Sequence, residues 1–426
     1  MTRTQALLFV AGAALTSSAM AQNAGMDQDR AYQAELLADA GNRSSLLAQA
    51  GNAGWSSETG GFFIGDGTGN NTLQIGGDTE FRYNMSFRDD ASVGDNEDFT
   101  QGFSTGFTRL RFMGNIWSKD FQYKIQLTND GQVGDSGFAL EDAWGMYNFG
   151  NEFSLGFGQA KVPLIWQDYG IDVPFVLGVE RAIATQVFAP GYTQGIWGTY
   201  AADMFRVTGA ISDGAAAANT PFNSSAESDY AITARVDVKA MGSDWNRFSD
   251  ETSFQSQTEM ALRVGGGVHF QDGGETGGTI DQQIFVYTLD AQIEGGGWNA
   301  FGAFYGSTID TGGATDTDLF GGILQGGIFV TDQVELFARW NAIFFDSSAA
   351  AGGADDDCHF AEAGVTYYVS PESHAFKVSF FGGYAFNDTT PLFGAGGLLE
   401  GSTRSGFLGD TEDGEIVLGA EASILF

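Results

Sequence analysis

The chain has 426 residues, among them 62 Gly, 37 Phe and only 6 Pro, with 54 acidic side chains against 19 basic ones. A formal charge of −35 repels phosphate backbones and argues against nucleic acid as a partner. The single cysteine, Cys358, excludes an internal disulfide framework.

Arg3 followed by "ALLFVAGAALTSSAMA" reads as a secretory signal peptide over residues 1–21, cut after Ala19-Met20-Ala21. Its apolar run is short for a membrane span, and no later uninterrupted run reaches the length of a transmembrane helix. An exported chain without a helical anchor is periplasmic, secreted or an outer-membrane barrel. Residues 22–71 read as a periplasmic extension. Within it, Tyr32, Leu36, Leu37 and Ala40 recur at the spacing of a short amphipathic helix over 27–50, and a Gly/Ser/Asn-rich linker follows.

From Leu73 a period of two takes over. "LQIGGDTEFRYNMSF" (73–87) sets Leu73, Ile75, Phe81, Tyr83, Met85 and Phe87 against Asp78, Glu80 and Arg82. Similar segments lie at 105–117, 121–129, 139–149, 152–160, 193–201, 204–212, 229–239, 258–270, 282–294, 297–309, 319–330, 333–345, 359–369, 375–386 and 414–426. Short joints (118–120, 150–151, 202–203, 295–296, 331–332, 370–374) alternate with long ones (88–104, 130–138, 161–192, 213–228, 271–281, 310–318, 346–358, 387–413). This sorting predicts an all-β, antiparallel, up-and-down transmembrane β-barrel over 72–426, with tight periplasmic turns and long outer loops. The connection 240–257 is long where a short turn is due, which leaves sixteen strands with one elongated turn, or eighteen. The terminal Phe426 closes an alternating strand, a feature of barrels inserted into the outer membrane.

The basic strand residues Arg82, Arg109, Arg111, Lys124, Arg206, Arg235, Arg263, Arg339 and Lys377 all share the polar parity of their segments. Facing lipid at mid-bilayer, each would cost about 2–4 kcal/mol. They are therefore expected to line a water-filled lumen rather than a packed core, together with Asp78, Glu80, Asp290, Glu294, Glu335 and Glu421. Most other acids fall in long loops: Asp89, Asp90, Asp95, Glu97, Asp98, Asp316, Asp318, Asp355, Asp356, Asp357, Asp410, Glu412 and Asp413. They read as solvated loops, or as sites where divalent cations bridge loops or lipid headgroups.

The stretches "FTRLRFMGNIWSKDFQYKIQL" (107–127), "FSLGFGQAKVPLIWQ" (153–167), "VERAIATQVFAPGYTQGIWGTY" (179–200) and "AEAGVTYYV" (361–369) resemble the phosphate-selective porin O and P family. The resemblance implies a sixteen-stranded, trimeric porin with its third loop, 161–192, folded into the lumen. It also implies passage of anions such as phosphate past lumen arginines. The loop itself offers Lys161 and Arg181 against Asp168, Asp172 and Glu180, a mixed constriction whose outer mouth is acidic.

Rival readings find less support. His269, His359 and His374 form no evident catalytic arrangement, so an enzyme is not expected, nor a cofactor. "DDDCHF" (355–360) reads as a solvated loop, because adjacent residues do not readily converge on one metal ion. "VGGGV" (264–268) reads as strand glycines that permit curvature or close approach. The remaining rival is a structural or adhesin-like outer-membrane barrel that conducts little.

Overall fold

Side chains that alternate between apolar and polar produce strands with two unlike faces, and a sheet of such strands is stable in lipid only when it closes. The computed structural model shows that closure. It describes residues 52–56, 61–89, 98–131, 137–222, 224–225, 227–274, 281–310, 312, 316–346, 356–393, 398–399 and 403–426. The strands are β1 (Asn52–Ser56), β2 (Gly61–Gly65), β3 (Thr72–Phe87), β4 (Phe99–Ile116), β5 (Ser118–Asp130), β6 (Ala139–Asn148), β7 (Phe153–Lys161), β8 (Tyr192–Ala201), β9 (Phe205–Ser212), β10 (Tyr230–Met241), β11 (Ala261–Asp272), β12 (Gln283–Gly295), β13 (Trp298–Asp310), β14 (Thr317–Thr331), β15 (Val334–Phe345), β16 (Asp357–Tyr368), β17 (Phe376–Ala385) and β18 (Ile416–Leu425).

From β3 to β18 each strand pairs antiparallel with the next, and β18 pairs back with β3 from Ile416↔Phe87 to Leu425↔Asp78. Phe426 extends the seam by exchanging backbone hydrogen bonds with Gly77. The sixteen expected segments correspond one by one to these strands. The largest displacement is at β4, which begins at Phe99 rather than near 105. The two additional strands are not a hairpin hidden in 240–257. They are β1 and β2, which precede the barrel, and β2 adds to the first residues of β3 below the end of β18. The connection after β10 is an elongated turn that carries one 3-10 turn, Trp245–Ser249.

β10 shows how the sequence sets the two faces. Ala231, Thr233, Arg235, Asp237 and Lys239 are buried, while Tyr230, Ile232, Val236 and Val238 are exposed to the surroundings of the barrel. Exposed aromatics gather toward the strand ends, with Phe87, Phe99 and Tyr230 near the long loops and Trp117, Phe149 and Phe153 near the short turns. These are the two girdles of a bilayer-spanning barrel.

One expectation fails inside the barrel, where the inner face is not uniformly wet. Ile284, Val286, Phe301, Tyr305, Leu319, Ile323, Ile343, Phe345 and Phe360 of β12–β16 point inward and are buried. They pack with Val162, Leu164, Ile165, Trp166, Ile183 and Phe188 of the connection between β7 and β8. The lumen thus contains a hydrophobic core along one wall. The proposed signal peptide, the 27–50 helix and the loop acids Asp90, Asp95, Glu97 and Asp355 lie outside the described residues.

Candidate functional site: the constriction and its passage

The connection 162–191 begins "VPLIW", an apolar run that cannot remain in outer water without cost. It crosses the lumen and buries those side chains on the far wall. Two short helices shape it, Trp166–Tyr169 and Ile183–Phe188. The Trp166 indole donates to Phe248 O at 3.0 Å, and the Phe188 ring lies tilted against Tyr305 with centroids 5.5 Å apart.

A loop carrying buried backbone needs donors for its carbonyls. Four of the cations expected to line water supply them. Arg235 donates to Leu164 O at 2.6 Å, Lys377 to Pro174 O at 3.0 Å, and Arg82 to Val179 O at 2.5 Å. Arg339 donates to Leu177 O at 2.6 Å and to Glu180 O at 2.9 Å. The loop's own Arg181 donates to Gln167 O and Ile171 O, each at 2.8 Å. Lys161 ends β7 and bonds Asp168 through Oδ1 at 2.7 Å and through its carbonyl at 2.9 Å. These cations act as clamps, which corrects the reading of all nine as water-facing.

The charges they carry are neutralised in place. Arg235 and Arg263 alternate with Asp237 and Asp290 in a four-membered ring of ion pairs, the shortest N–O distance of each pair being 2.7–2.8 Å. The Arg263 guanidinium lies 3.9 Å over the Trp166 ring. Gly265 is required beside this ring, because a Cβ there would sit 2.2 Å from Asp237 Oδ1 and 2.3 Å from an Arg235 nitrogen. The first glycine of "VGGGV" therefore serves a close approach of side chains. At the seam, Arg82 pairs with Glu80 at 2.9 Å and with Glu421, its register neighbour on β18. Arg339 pairs with Glu362 at 3.5 Å.

Two further segments support the loop, and neither was expected to enter the lumen. From the periplasmic end, the turn 242–260 rises inside the barrel. Its Glu251 accepts from Gln167 Nε2 at 2.8 Å and from Leu177 N at 2.6 Å, and its backbone N–H donates to Phe175 O at 2.9 Å. From the other end, residues 403–409 fold inward. Ser405 N donates to Glu180 Oε1 at 3.0 Å, Arg404 pairs with Asp130, and Phe407 packs on Phe360. Both connections carry large apolar residues (Phe248 and Phe254, Leu392 and Phe407), an unusual content for solvated ones and the signal that could have revealed them.

With the loop clamped by β3, β10, β15 and β17, open space remains along β5–β9. It contains a cavity of about 420 Å³ whose lining includes Lys124, Asp142, Lys161 and Asp172, then Trp144 and Trp197, and Thr199, Arg206 and Thr208. Beside it, Arg109 and Arg111 share Asp78, Arg109 also meets Glu141 at 3.2 Å, and Arg111 reaches Asp172 at 3.7 Å. Lys124 pairs with Asp142 at 3.0 Å. The side chain of Asp172 is 48% exposed to the passage. The Lys124 ammonium foremost, then Arg111, Lys161 and Arg109, holds its carboxyl well below the usual carboxylate range. Asp172 therefore stays anionic across physiological pH, and the constriction presents facing charges of both signs. The wall glycine Gly156 gives Trp197 its place, since a Cβ there would lie 2.3 Å from the indole.

The remaining candidates lie apart from this passage. Glu294 faces Arg247 at 3.3 Å near the periplasmic turn. Glu335 accepts from Asn299 at 3.0 Å and from Tyr368 at 2.7 Å. His374 bonds Asp250 at 2.8 Å, and His269 bonds Thr233 at 2.8 Å. In "DDDCHF", Cys358 is buried with Sγ 3.2 Å from Asp388 O, and His359 stacks on Trp340. No three metal-ligating side chains gather among the described residues. Not every outer acid is solvated, because Asp410 is buried and accepts from Asp89 N.

No protein-family model matches the chain, and no curated protein matches it. Solved structures do. An anion-selective porin from Comamonas acidovorans superposes with a TM-score of 0.55 at 13% identity, covering 83% of this chain and 99% of that one. The outer membrane channel DcaP of Acinetobacter baumannii gives 0.54 at 13% identity, over 88% and 100%. The in-vitro folded OmpT of Vibrio cholerae, in trimer form, gives 0.53 at 16% identity, over 83% and 99%. At these identities the likeness is one of architecture, and with the closed sixteen-strand sheet it places the chain in the fold of outer-membrane porins.

Proposed function

We propose that the chain is an outer-membrane porin, a channel for passive diffusion of ions and small hydrophilic solutes past the inward-folded loop 161–192. The passage of about 420 Å³ left between that loop and strands β5–β9, lined by charges of both signs, is the observation that carries this reading. The mixed lining supports weak selectivity. Arg82, Arg235, Arg339 and Lys377 hold loop carbonyls and Arg263 is buried in the ion-pair ring, which leaves Lys124, Arg206, Arg109 and Arg111 of the nine nearest the solute path. The motif resemblance to phosphate-selective porins adds small anions such as phosphate to the solutes, while Asp142 and Asp172 oppose strict anion selection. The trimer form of the OmpT neighbour supports a homotrimer embedded in outer-membrane lipid. Divalent cations at the acidic outer loops complete the expected partners.

Purified protein in a planar bilayer should give stepwise ohmic currents, with a reversal potential in a KCl gradient displaced only slightly toward either ion. The inward packing of 162–191 and of Leu392, Phe393 and Phe407 favours, as a second reading, a structural barrel of little conductance. Absence of ion steps at any voltage would establish that reading instead.

A further inference from the structure

Below the charged constriction the passage changes character. Trp144 and Trp197 line the same cavity, with ring centroids 6.4 Å apart and planes at 84°. Near its periplasmic end stands Arg206, at the start of β9. Among the described residues no carboxylate lies within 4.0 Å of its guanidinium, although the other passage cations are committed, Lys124 to Asp142 and Lys161 to Asp168. Its register neighbour Asp237 is already held by Arg235 and Arg263. What holds Arg206 is the face of Trp245, 4.6 Å away, and that indole is itself tethered to Ala202 O at 3.2 Å.

Resting on the channel reading above, we propose that this stretch is a binding subsite for flat aromatic monocarboxylates. The guanidinium fork takes a carboxylate in the geometry that suits it best. The two indoles offer a face and an edge to a planar ring, a contact an aliphatic acid of equal charge makes poorly. The single negative charge follows from the route. A solute must first pass Asp142 and Asp172, which repel a dianion more strongly than a monoanion. An aromatic ammonium ion is disfavoured at the far end by Arg206.

The test uses the full chain in a planar bilayer, carrying a KCl current, with benzoate, acetate or benzylammonium added. Benzoate should reduce the mean open-channel current at concentrations roughly tenfold below those of acetate. Arg206→Gln should remove that advantage, and Arg206→Lys should restore part of it. Trp197→Leu should weaken block by benzoate several-fold and leave acetate unchanged, which keeps the proposal testable if the Arg206 variants fail to insert. Equal block by benzoate and acetate, block by benzoate that is indifferent to Arg206→Gln, or stronger block by benzylammonium would overturn the subsite while leaving the channel intact. Absence of ion steps in the unaltered protein would overturn the channel reading and the subsite with it.

Discussion

Replacing Arg235 with alanine is expected to loosen the constriction loop and lower the thermal stability of the barrel together. Arg235 contributes to both sides of a four-membered ion-pair ring and is also the donor to Leu164 O, where the loop enters the lumen. Its removal leaves Asp237 and Asp290, both buried, to share Arg263 alone. Breaking a buried pair by removing one partner costs about 3–5 kcal/mol, because the other charge remains without compensation. The Trp166 ring also loses the support of the guanidinium ring network beneath it. The expected result is a larger and noisier single-channel current, with loss of folded-barrel gel mobility at a lower temperature. Arg235→Lys should fall between the two, since one ammonium cannot bridge both carboxylates and the carbonyl with fork geometry. Unchanged current and unchanged heat-modifiability in Arg235→Ala would show that the ring does not hold the loop.

Leu324→Arg tests the outer face. Leu324 lies at the middle of β14 and is 63% exposed, between inward Ile323 and Gln325, both buried. Placing a guanidinium there costs about 2–4 kcal/mol if the position sits at the bilayer midplane. Urea titration of refolding into lipid vesicles should show that loss as a shift of the midpoint, with a much smaller shift for Leu324→Ala. Equal shifts for the two substitutions would mean that this face does not meet hydrocarbon.

The strands were legible because a period of two survives any packing partner. β10 could be read residue by residue from "YAITARVDV", and lipid on one side enforces that pattern. The inside of the barrel was less legible. A buried Arg235 and a partly exposed Arg206 occupy the same parity and look alike in sequence. What separates them is whether the loop 162–191 reaches that wall, a contact between segments some seventy residues apart in the case of Leu164 and Arg235. Polarity alone suggested that inward positions are wet, yet Leu319 and Ile323 point inward because they meet the loop's own apolar side chains. Glu251 was hidden for a related reason. It lies in a connection of unusual length, but its carboxylate acquires meaning only when Gln167 and Leu177 N are brought above it. The mixed sign of the constriction could be read from Lys161, Asp168, Asp172, Glu180 and Arg181. That Asp172 alone of its acids projects into the passage, while Glu180 turns away to hold Ser405, could not.

In the proposed channel, solute moves along the β5–β9 wall while the opposite wall is sealed by the loop. Thiol labelling during conductance recording tests this route most directly. Thr199 lines the passage, and Thr366 is buried on β16 across the barrel. The native Cys358 is buried and supplies the unreactive background. A charged methanethiosulfonate reagent should lower the current of Thr199→Cys in discrete steps and leave Thr366→Cys and the unaltered protein unchanged. Equal loss of current in both variants, or loss in Thr366→Cys alone, would contradict this route through the barrel.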